Sequence, residues 1–555
     1  MDLDSQPQPT ILAASTTRTE GSVSGRDPKE REPQLCPGCA FKAEIFEARQ
    51  QAGYWQSRHQ QARDREEKLQ RDLEQLRAEI RKLERQLFGC KSEKRGGGAR
   101  DKPGVKGTKK PRKRGQQPGR PSPKRRSTSH LPVQEERHAL PSDQCHCARC
   151  GLPFREGFVT EDSEILEIEV KAHKRKIRRQ TYQPGCQCDH LPRILTAPGP
   201  PKLIPKGLYG VSLWVTILLD KYCFLRPTNR LLEDLKTHGL DLSLGTVTGG
   251  LKKLEPLFEP IRDEITRHNL SESQWHADET GWPVFVVHEE KVGWNWKLWV
   301  FQSRTAVDFV LDPTRKAQVP QKYFQGVEHG VLVVDRYSAY KAMEQVKKGL
   351  LLLAFCWVHV RRDFHGVAAD WPEHADWGLS WVEAIGELFH LNTLRLEAPD
   401  EELAARQEAL EVAVGKMEQR RDQELSQEDL HPVRRKPLKS LRNHWEGLRR
   451  FVKDRRIPMD NNLAERSHRT PVCGRKQFSG SSALWAGRMA SLLFSLFATL
   501  ALWQINPRKW LSAYLEACAE EGGKAPEEAA RFLPWNLSGK QRAAWAESPI
   551  VQDSS

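Results

Sequence analysis

The chain has 555 residues, of which 38% are hydrophobic and 29% charged, and its formal net charge is +15. This length allows three or four domains, and the basic balance favours a polyanion such as nucleic acid as the partner. Twelve cysteines in this length exclude a disulfide-dense scaffold, and their C-x-C and C-x-x-C clustering suits a reducing compartment. The N-terminus lacks the basic-then-apolar order of a signal peptide, so we predict a cytoplasmic protein without a membrane partner.

The first segment, residues 1–41, is polar and rich in Pro, Ser and Thr, which predicts disorder. Residues 42–89 predict a long helix with apolar residues at alternating spacings of four and three: Leu69, Leu73, Leu76, Ile80, Leu83 and Leu87. This is the a/d pattern of a coiled coil, and charged or Gln residues surround it. We therefore predict a dimer through this helix; the alternative is an amphipathic helix packed on its own chain.

A basic arm follows at residues 90–129. Between Lys91 and Arg126 it holds fifteen Lys and Arg residues against two acidic ones, together with many Gly and Pro. Such a segment cannot build a core. We interpret it as a flexible arm that contacts phosphates.

Residues 130–200 contain a cysteine cluster around a strand-like stretch. The pairs are Cys147 with Cys150 and Cys186 with Cys188, and four thiolates can close a tetrahedral zinc site. Cys145, His146 and His190 are rival ligands, and a reduced cluster without Zn²⁺ is the alternative. Between the pairs runs a basic stretch that can follow a DNA backbone and includes Lys174, Arg175 and Lys176.

Residues 201–265 predict helices with a turn at DLSLG, an arrangement similar to a helix-turn-helix. An ordinary helical hairpin is the alternative, because two glycines in the second helix weaken it as a rigid DNA reader.

From residue 270 the pattern changes to successive strands rich in β-branched and aromatic residues, followed by helices. This predicts an α/β domain over 270–371 and 457–520, interrupted by a charged helical insertion at 372–456 and followed by a tail at 521–555. The apolar stretch 489–505 contains Ser, Thr and Gln, and we interpret it as a buried helix.

Three carboxylates stand out in this α/β region. Asp278 and Asp335 are placed at the ends of two predicted strands, where acidic side chains can converge. Each also has an ordinary structural interpretation as a turn or cap residue. Glu465 has one too, since Asn462-x-x-Glu465 fits a capping box at a helix start. The same helix carries Arg466, His468 and Arg469, which suits a phosphate backbone.

The ordered set of motifs resembles the DDE transposases of the insertion sequence 66 type: HADET, DRYSAY, CWVHVRRDF and DNNLAERSHR, preceded by QLFGCKSEK, RGQQPGRP and IPKGLYG and followed by VCGRKQFSGS. The resemblance covers residues 60–505. Two departures are Cys90, where the family usually has Arg or a similar residue, and DRYSAY in place of a DGYAGY-like motif. Neither departure changes a carboxylate.

The resemblance implies a multidomain α/β protein with a ribonuclease H-like catalytic core that carries a helical insertion. Ahead of the core it implies a coiled coil, a basic arm and a zinc-finger-like DNA-binding module. Its metal ligands would be Asp278, Asp335 and Glu465, holding two Mg²⁺ or Mn²⁺ ions. Such a pair activates water and stabilises the leaving 3′ oxygen of a phosphodiester.

Further expectations concern the surroundings of this centre. We expect His359 near it, with Cys356 and His359 as an ordinary core pair in the alternative interpretation. Arg361, Arg362, Arg466 and Arg469 are candidates for phosphate contacts. The expected partners are the terminal inverted repeats of a bacterial mobile element, the target DNA near the nucleoid, and small accessory proteins of the same element. A regulator without catalysis or a nuclease that cuts without joining are the rival functions.

Overall fold

The computed structural model describes residues 37–88, 170–183, 194–287 and 293–546, with scattered positions between 133 and 165. Most of the predicted disordered N-terminus and the basic arm lie outside the described residues. So do three of the four predicted zinc ligands, Cys147, Cys186 and Cys188. The fourth, Cys150, is described and exposed.

The first described element is a single helix, α1, at Pro37–Phe88. It begins a few residues before the predicted start at residue 42. The seam residues from Leu69 to Leu83 are between 48% and 61% exposed, although they are apolar. Pairing with a second helix through this seam stays a prediction.

A two-residue antiparallel ladder joins Thr181–Tyr182 to Leu195–Thr196. The basic stretch Lys174 to Lys176 lies a few residues before it, exposed and outside regular secondary structure. The helices that follow are α2 Val211–Leu218, which continues into a π-helical turn at Leu219–Cys223, then α3 Thr228–Thr237, α4 Leu244–Leu254 and α5 Glu259–Leu270.

The predicted turn between α3 and α4 is present. Gly239 follows α3 with a positive φ of 79°, and the Ser243 side chain accepts a hydrogen bond from the Thr246 amide at 3.1 Å to begin α4. Gly250 within α4 packs so closely on the Trp214 ring that a Cβ there would lie 1.8 Å from the ring. This glycine therefore serves close helix packing rather than flexibility.

A five-stranded mixed sheet organises the rest of the chain. Its strands are β1 Gln274–Pro283, β2 Asn295–Gln302, β3 Val307–Asp312, β4 Gly330–Val334 and β5 Leu351–Phe355. The spatial order is β3-β2-β1-β4-β5. β1, β2 and β3 form antiparallel pairs, whereas β4 and β5 run parallel to β1. Short helices link the strands: α6 Gln318–Tyr323, α7 Ser338–Lys341 and α8 Glu344–Lys347.

The apolar helix α17, Leu484–Leu502, covers one face of the sheet. It is long and apolar enough to cross a membrane, but two thirds of it is buried within the protein, as predicted for a core helix. Its hydroxyl residues have a structural role: Ser495 and Thr499 accept hydrogen bonds from the amides of Phe309 and Val307 at 2.7 and 3.0 Å. These contacts satisfy edge-strand amides that would otherwise be buried without partners.

Helix α9, Trp357–Asp370, and the helices of the predicted insertion pack on the other face, around Trp275, Trp299 and Trp357. The insertion helices are α10 Ala375–Glu397, α11 Asp400–Leu425, α12 Pro432–Asn443, α13 Trp445–Leu448 and α14 Arg450–Lys453. The buried Arg395 guanidinium of α10 donates to the carbonyls of Phe451 and Val452 at 2.9 and 3.0 Å. It thereby fixes the segment that returns the chain to the sheet.

Beyond that segment lie α15 Asn462–Ser467, α16 Arg469–Phe478 and, after α17, the helices α18 Pro507–Glu520 and α19 Gly539–Trp545. Residues 521–546, predicted as a tail, are partly built into the core, since Leu533 is fully buried and Phe532 nearly so. The Trp510 indole of α18 donates to the Phe532 carbonyl at 2.6 Å. The described part of the tail is therefore folded.

Candidate active site

Asp278 and Asp335 lie at the same level of the sheet, one within β1 and the other directly after the end of its parallel neighbour β4. The last paired residues of β1 and β4 are His276 and Val333, and each Asp follows two residues later. Since adjacent strands are about 4.8 Å apart, this register brings the two residues side by side. Alternation of side chains also puts Asp278 on the same sheet face as His276.

The prediction that Asp278 ends its strand is wrong. β1 continues to Pro283 because it forms a hairpin with β2, in which Asp278 is paired with Val300. The parallel partner β4 does end, at Val334. Asp278 is therefore held by the sheet on one side and faces the end of β4 on the other.

The electrostatics of Asp278 link all three predicted carboxylates. Burial, and after it the negative charges of Glu279, Asp335 and Glu465, raise the pKa of the Asp278 carboxyl to about 7. Its side chain is only 26% exposed. Asp335 and Glu465 are thus each close enough to repel the charge of Asp278.

Glu465 reaches the site from helix α15. The capping box predicted from Asn462 is wrong: the residue before the helix is Asn461, whose side chain makes no capping bond because it is bonded to β1. Asp460 instead accepts a hydrogen bond from the Asn462 amide at 3.0 Å. The Glu465 carboxylate is therefore not engaged in a cap, and it lines a cavity of about 280 Å³ with Asn462, Arg466 and Arg469.

His359 lies where the sequence placed it, near the carboxylates. Its Nε2 is 3.8 Å from Oε1 of Glu465, and burial together with the positive charge of Arg362 lowers the pKa of His359. Cys356, at the start of α9, is fully buried and accepts a hydrogen bond from the Asn461 amide at 3.3 Å. The cysteine is therefore a core residue that supports the site. Of the predicted arginines on α9, Arg362 is exposed.

Sequence reasoning missed an ion pair behind the site, between a buried carboxylate and a half-exposed arginine. Glu279, next to Asp278 but on the opposite sheet face, pairs with Arg315 and accepts a hydrogen bond from the Tyr340 hydroxyl at 3.3 Å. The guanidinium of Arg315 also lies 3.9 Å from the centre of the Tyr337 ring. The strand period would have put Glu279 on the opposite face, but the sequence holds no signal for its distant partner Arg315.

His468, which the sequence suggested as one of the cations on the Glu465 helix, lies at the junction of α15 and α16. Its Nε2 lies 3.8 Å from Oδ2 of Asp278, and its ring packs near Phe309. Burial lowers the pKa of His468 to about 4, so the imidazole is neutral at physiological pH. It therefore gives Asp278 an uncharged neighbour and not the cation suggested by its place among arginines.

No group of three or more His, Cys, Asp or Glu side chains in the described part of the chain is close enough to hold a metal ion. Asp278, Asp335 and Glu465 are thus neighbours that interact through their charges, without forming a finished ligand set. Their oxygen donors are of the type that Mg²⁺ and Mn²⁺ take. A bound cation would offset the burial and repulsion that raise the pKa of Asp278.

Comparisons with known proteins agree with this region of the chain. The model of the Transposase IS66 family matches residues 206–489, slightly more than half of the 555 residues. Three proteins of Sinorhizobium fredii are similar, each named only as an uncharacterized protein. The one called y4hP is 26% identical over 424 residues, 73% of this chain and 75% of its own. The one called y4jD is 25% identical over 427 residues, 74% and 81%. The one called y4qI is 26% identical over 361 residues, 62% and 66%.

Proposed function

Because the chain belongs to the Transposase IS66 family, we propose that it is a DNA transposase whose catalytic residues are Asp278, Asp335 and Glu465. It binds the terminal inverted repeats of a mobile element and cuts and joins DNA strands. The observation that carries this proposal is the register that sets Asp278 beside Asp335, with Glu465 close enough to raise the pKa of Asp278.

The mixed sheet is the ribonuclease H-like core in this proposal. This assignment is supported by the position of β1 between its hairpin partner β2 and its parallel partner β4, which brings Asp278 and Asp335 together where β4 ends. The helices from α10 to α14 are then the insertion between the second aspartate and the glutamate. They pack on the sheet around Trp357, so that α15 returns next to β1.

The three carboxylates would hold two Mg²⁺ or Mn²⁺ ions. When bound, such ions lower the pKa of an attacking water and stabilise the leaving 3′ oxygen. The chain's own contribution is to hold Asp278 rigidly in the sheet and to shield it from water, which leaves it 26% exposed. A shielded carboxylate has a strong preference for a cation partner.

Arginines beside the cavity bind the DNA in this proposal. Arg466 and Arg469 are exposed and line the same cavity as Glu465, so that a phosphate contacting them lies beside the carboxylates. Arg361 and Arg362 extend this surface along α9. His359, next to Glu465, can donate a hydrogen bond to a phosphate oxygen from Nε2.

In this proposal, the segments that precede the α/β core bind the ends of the mobile element. The exposed basic stretch at Lys174 to Lys176 suits a DNA backbone, and the cysteines around it would hold Zn²⁺. The basic arm adds sequence-independent affinity, and accessory proteins of the same element join the complex. With DNA as its substrate, the protein works in the bacterial cytoplasm at the nucleoid.

A cleavage assay tests the function. The full-length protein, incubated with Mg²⁺ or Mn²⁺ and labelled DNA carrying the element's ends, is expected to cut at the ends. Asp278→Asn and Asp335→Asn should each lose at least about a thousandfold in rate, since each removes a metal ligand. Asp312→Asn is the matched control on edge strand β3 and should cut normally. Equal cutting by Asp278→Asn and the control would refute the proposed active site.

The exposed seam of α1 supports a dimer. Five apolar side chains at a/d spacing are about half exposed, which is unfavourable unless a second helix covers them. Leu76→Glu with Leu83→Glu should convert the dimer to a monomer in sedimentation, whereas Gln75→Glu, outside the seam, should not. A double variant that sediments like the wild-type protein would exclude a coiled-coil dimer.

A further inference from the structure

Asn461 occupies a fully enclosed position between the three carboxylate-bearing segments. It is 1% exposed, and the side-chain amide faces β1. Its Nδ2 donates to the Ala277 carbonyl at 2.8 Å, and its Oδ1 lies 3.0 Å from Nδ1 of His276. Ala277 immediately precedes Asp278, so this amide is bonded to the backbone beside the first carboxylate.

The orientation of this amide settles the protonation of its histidine partner. Because Nδ2 faces a carbonyl, which can only accept, Oδ1 must be the atom that faces His276. His276 therefore carries its proton on Nδ1 and donates it to Asn461. Both partners are buried, so each bond lacks competition from water.

The backbone of Asn461 forms hydrogen bonds that lead to the other two acidic residues, Asp335 and Glu465. Its amide donates to Sγ of Cys356 at 3.3 Å, and the Cys356 amide donates to the Val334 carbonyl at 3.0 Å, directly before Asp335. Its carbonyl accepts from the amide of Glu465 at 3.2 Å. One residue is thus bonded to the backbone at or next to all three acidic residues: to the Glu465 amide directly, to Ala277 before Asp278, and through Cys356 to Val334 before Asp335.

We propose that Asn461 is a positioning residue that sets Glu465 against Asp278 and Asp335. The inference rests on the proposed function, because it concerns the geometry of the same site. Asn461 does not face the cavity and contacts no carboxylate oxygen, so its effect is on the distances between the ligands. Removal of such a supporting bond typically weakens metal binding by about 10- to 100-fold.

The matched control is Asn269, a fully buried asparagine in the last turn of α5. Its Nδ2 donates to the Phe301 carbonyl at 3.0 Å and to the Tyr323 hydroxyl at 2.8 Å, and its Oδ1 accepts from the Ser303 amide at 3.1 Å. Asn461→Ala and Asn269→Ala therefore both leave buried polar groups without partners. Only the first removes the side-chain bonds that tie the start of the Glu465 helix to the strand of Asp278.

The experiment titrates the full-length protein with Mn²⁺ and follows its melting temperature, a readout independent of catalysis. Asn461→Ala should need at least about tenfold more Mn²⁺ than wild type for half of the thermal shift. Asn269→Ala should melt earlier but titrate like wild type. In the cleavage assay, Asn461→Ala should be slower at limiting metal while its DNA affinity stays unchanged.

The results of this titration distinguish the proposed function from the positioning role of Asn461. If wild type shows no Mn²⁺-dependent shift, or if Asp278→Asn keeps it, the proposed function is wrong. If those two behave as proposed but Asn461→Ala titrates like Asn269→Ala, the positioning role alone is wrong.

A second pair of variants decides the question if Asn461→Ala does not fold. His276→Asn keeps a donor at the position of Nδ1 and should titrate within about threefold of wild type, whereas His276→Leu should show the tenfold loss. Equal titration by these two variants would overturn the proposal.

Discussion

Asp278→Asn should stabilise the metal-free protein at the same time as it abolishes cleavage. The substitution keeps the size of the side chain and removes a negative charge that burial and Glu279 oppose. Because the pKa of Asp278 is raised in the folded protein, its carboxyl favours the folded state at low pH. That contribution is lost as the pH rises through about 7.

The magnitude follows from the pKa change. The pKa of the carboxyl rises from 3.8 to about 7 on folding, and each unit corresponds to about 1.4 kcal/mol. Between pH 5 and pH 8, the loss accumulates over the two units up to the folded pKa, so ionisation of Asp278 should lower the free energy of unfolding by about 2.5 kcal/mol. Asparagine does not titrate, so Asp278→Asn should gain about 2.5 kcal/mol on wild type over this interval.

Urea unfolding in the presence of EDTA measures this gain. Wild type and Asp278→Asn are compared at pH 5 and at pH 8, and effects of the substitution that do not involve ionisation cancel between the two conditions. Added Mn²⁺ at pH 8 should reverse the order, because only wild type has the ligand. A difference between the two proteins that is the same at both pH values would refute the electrostatic account of Asp278.

Two further substitutions test the support of the site and of the fold. Arg315→Gln leaves the Glu279 carboxylate, which is 3% exposed, without its cation. The free energy of unfolding measured by urea titration should therefore fall by about 2 kcal/mol. A urea midpoint equal to that of wild type would contradict a structural role for the pair. Gly250→Ala should cost about 1–3 kcal/mol because its Cβ would collide with the Trp214 ring, whereas Gly249→Ala, which meets open space in the same helix, should raise the melting temperature slightly. Equal effects of the two alanines would contradict the close packing.

Local patterns predicted much of the fold. The strands around Asp278 and Asp335 are short apolar runs with aromatic residues, and the helices of the insertion follow their own charge and apolar pattern. Pairing is less accessible from sequence. The extension of β1 past Asp278 depends on its hairpin with β2. At this point β1 is no longer paired with β4 but is still paired with β2, and no local sequence pattern indicates such a change of pairing.

The three candidate carboxylates could be named from the sequence, but the contacts that support them could not. Asp278, Asp335 and Glu465 lie in motifs that resemble a known family, whereas the bond from Asn461 to His276 spans 185 residues. The sequence suggested Asn462 as a cap because Asn commonly begins helices. In the folded protein the neighbouring Asn461 stands at that start, and tertiary bonds to β1 take its side chain in place of capping.

Strand transfer is the most direct test of the central claim that one set of carboxylates both cuts and joins DNA. A DNA substrate with pre-cut element ends and free 3′ hydroxyl groups is mixed with the full-length protein, Mg²⁺ or Mn²⁺ and a plasmid target. We predict joined products with wild type and with Asp312→Asn, and none with Asp278→Asn, Asp335→Asn or Glu465→Gln. Cutting without any joining by wild type, or joining that survives loss of all three carboxylates, would contradict the account.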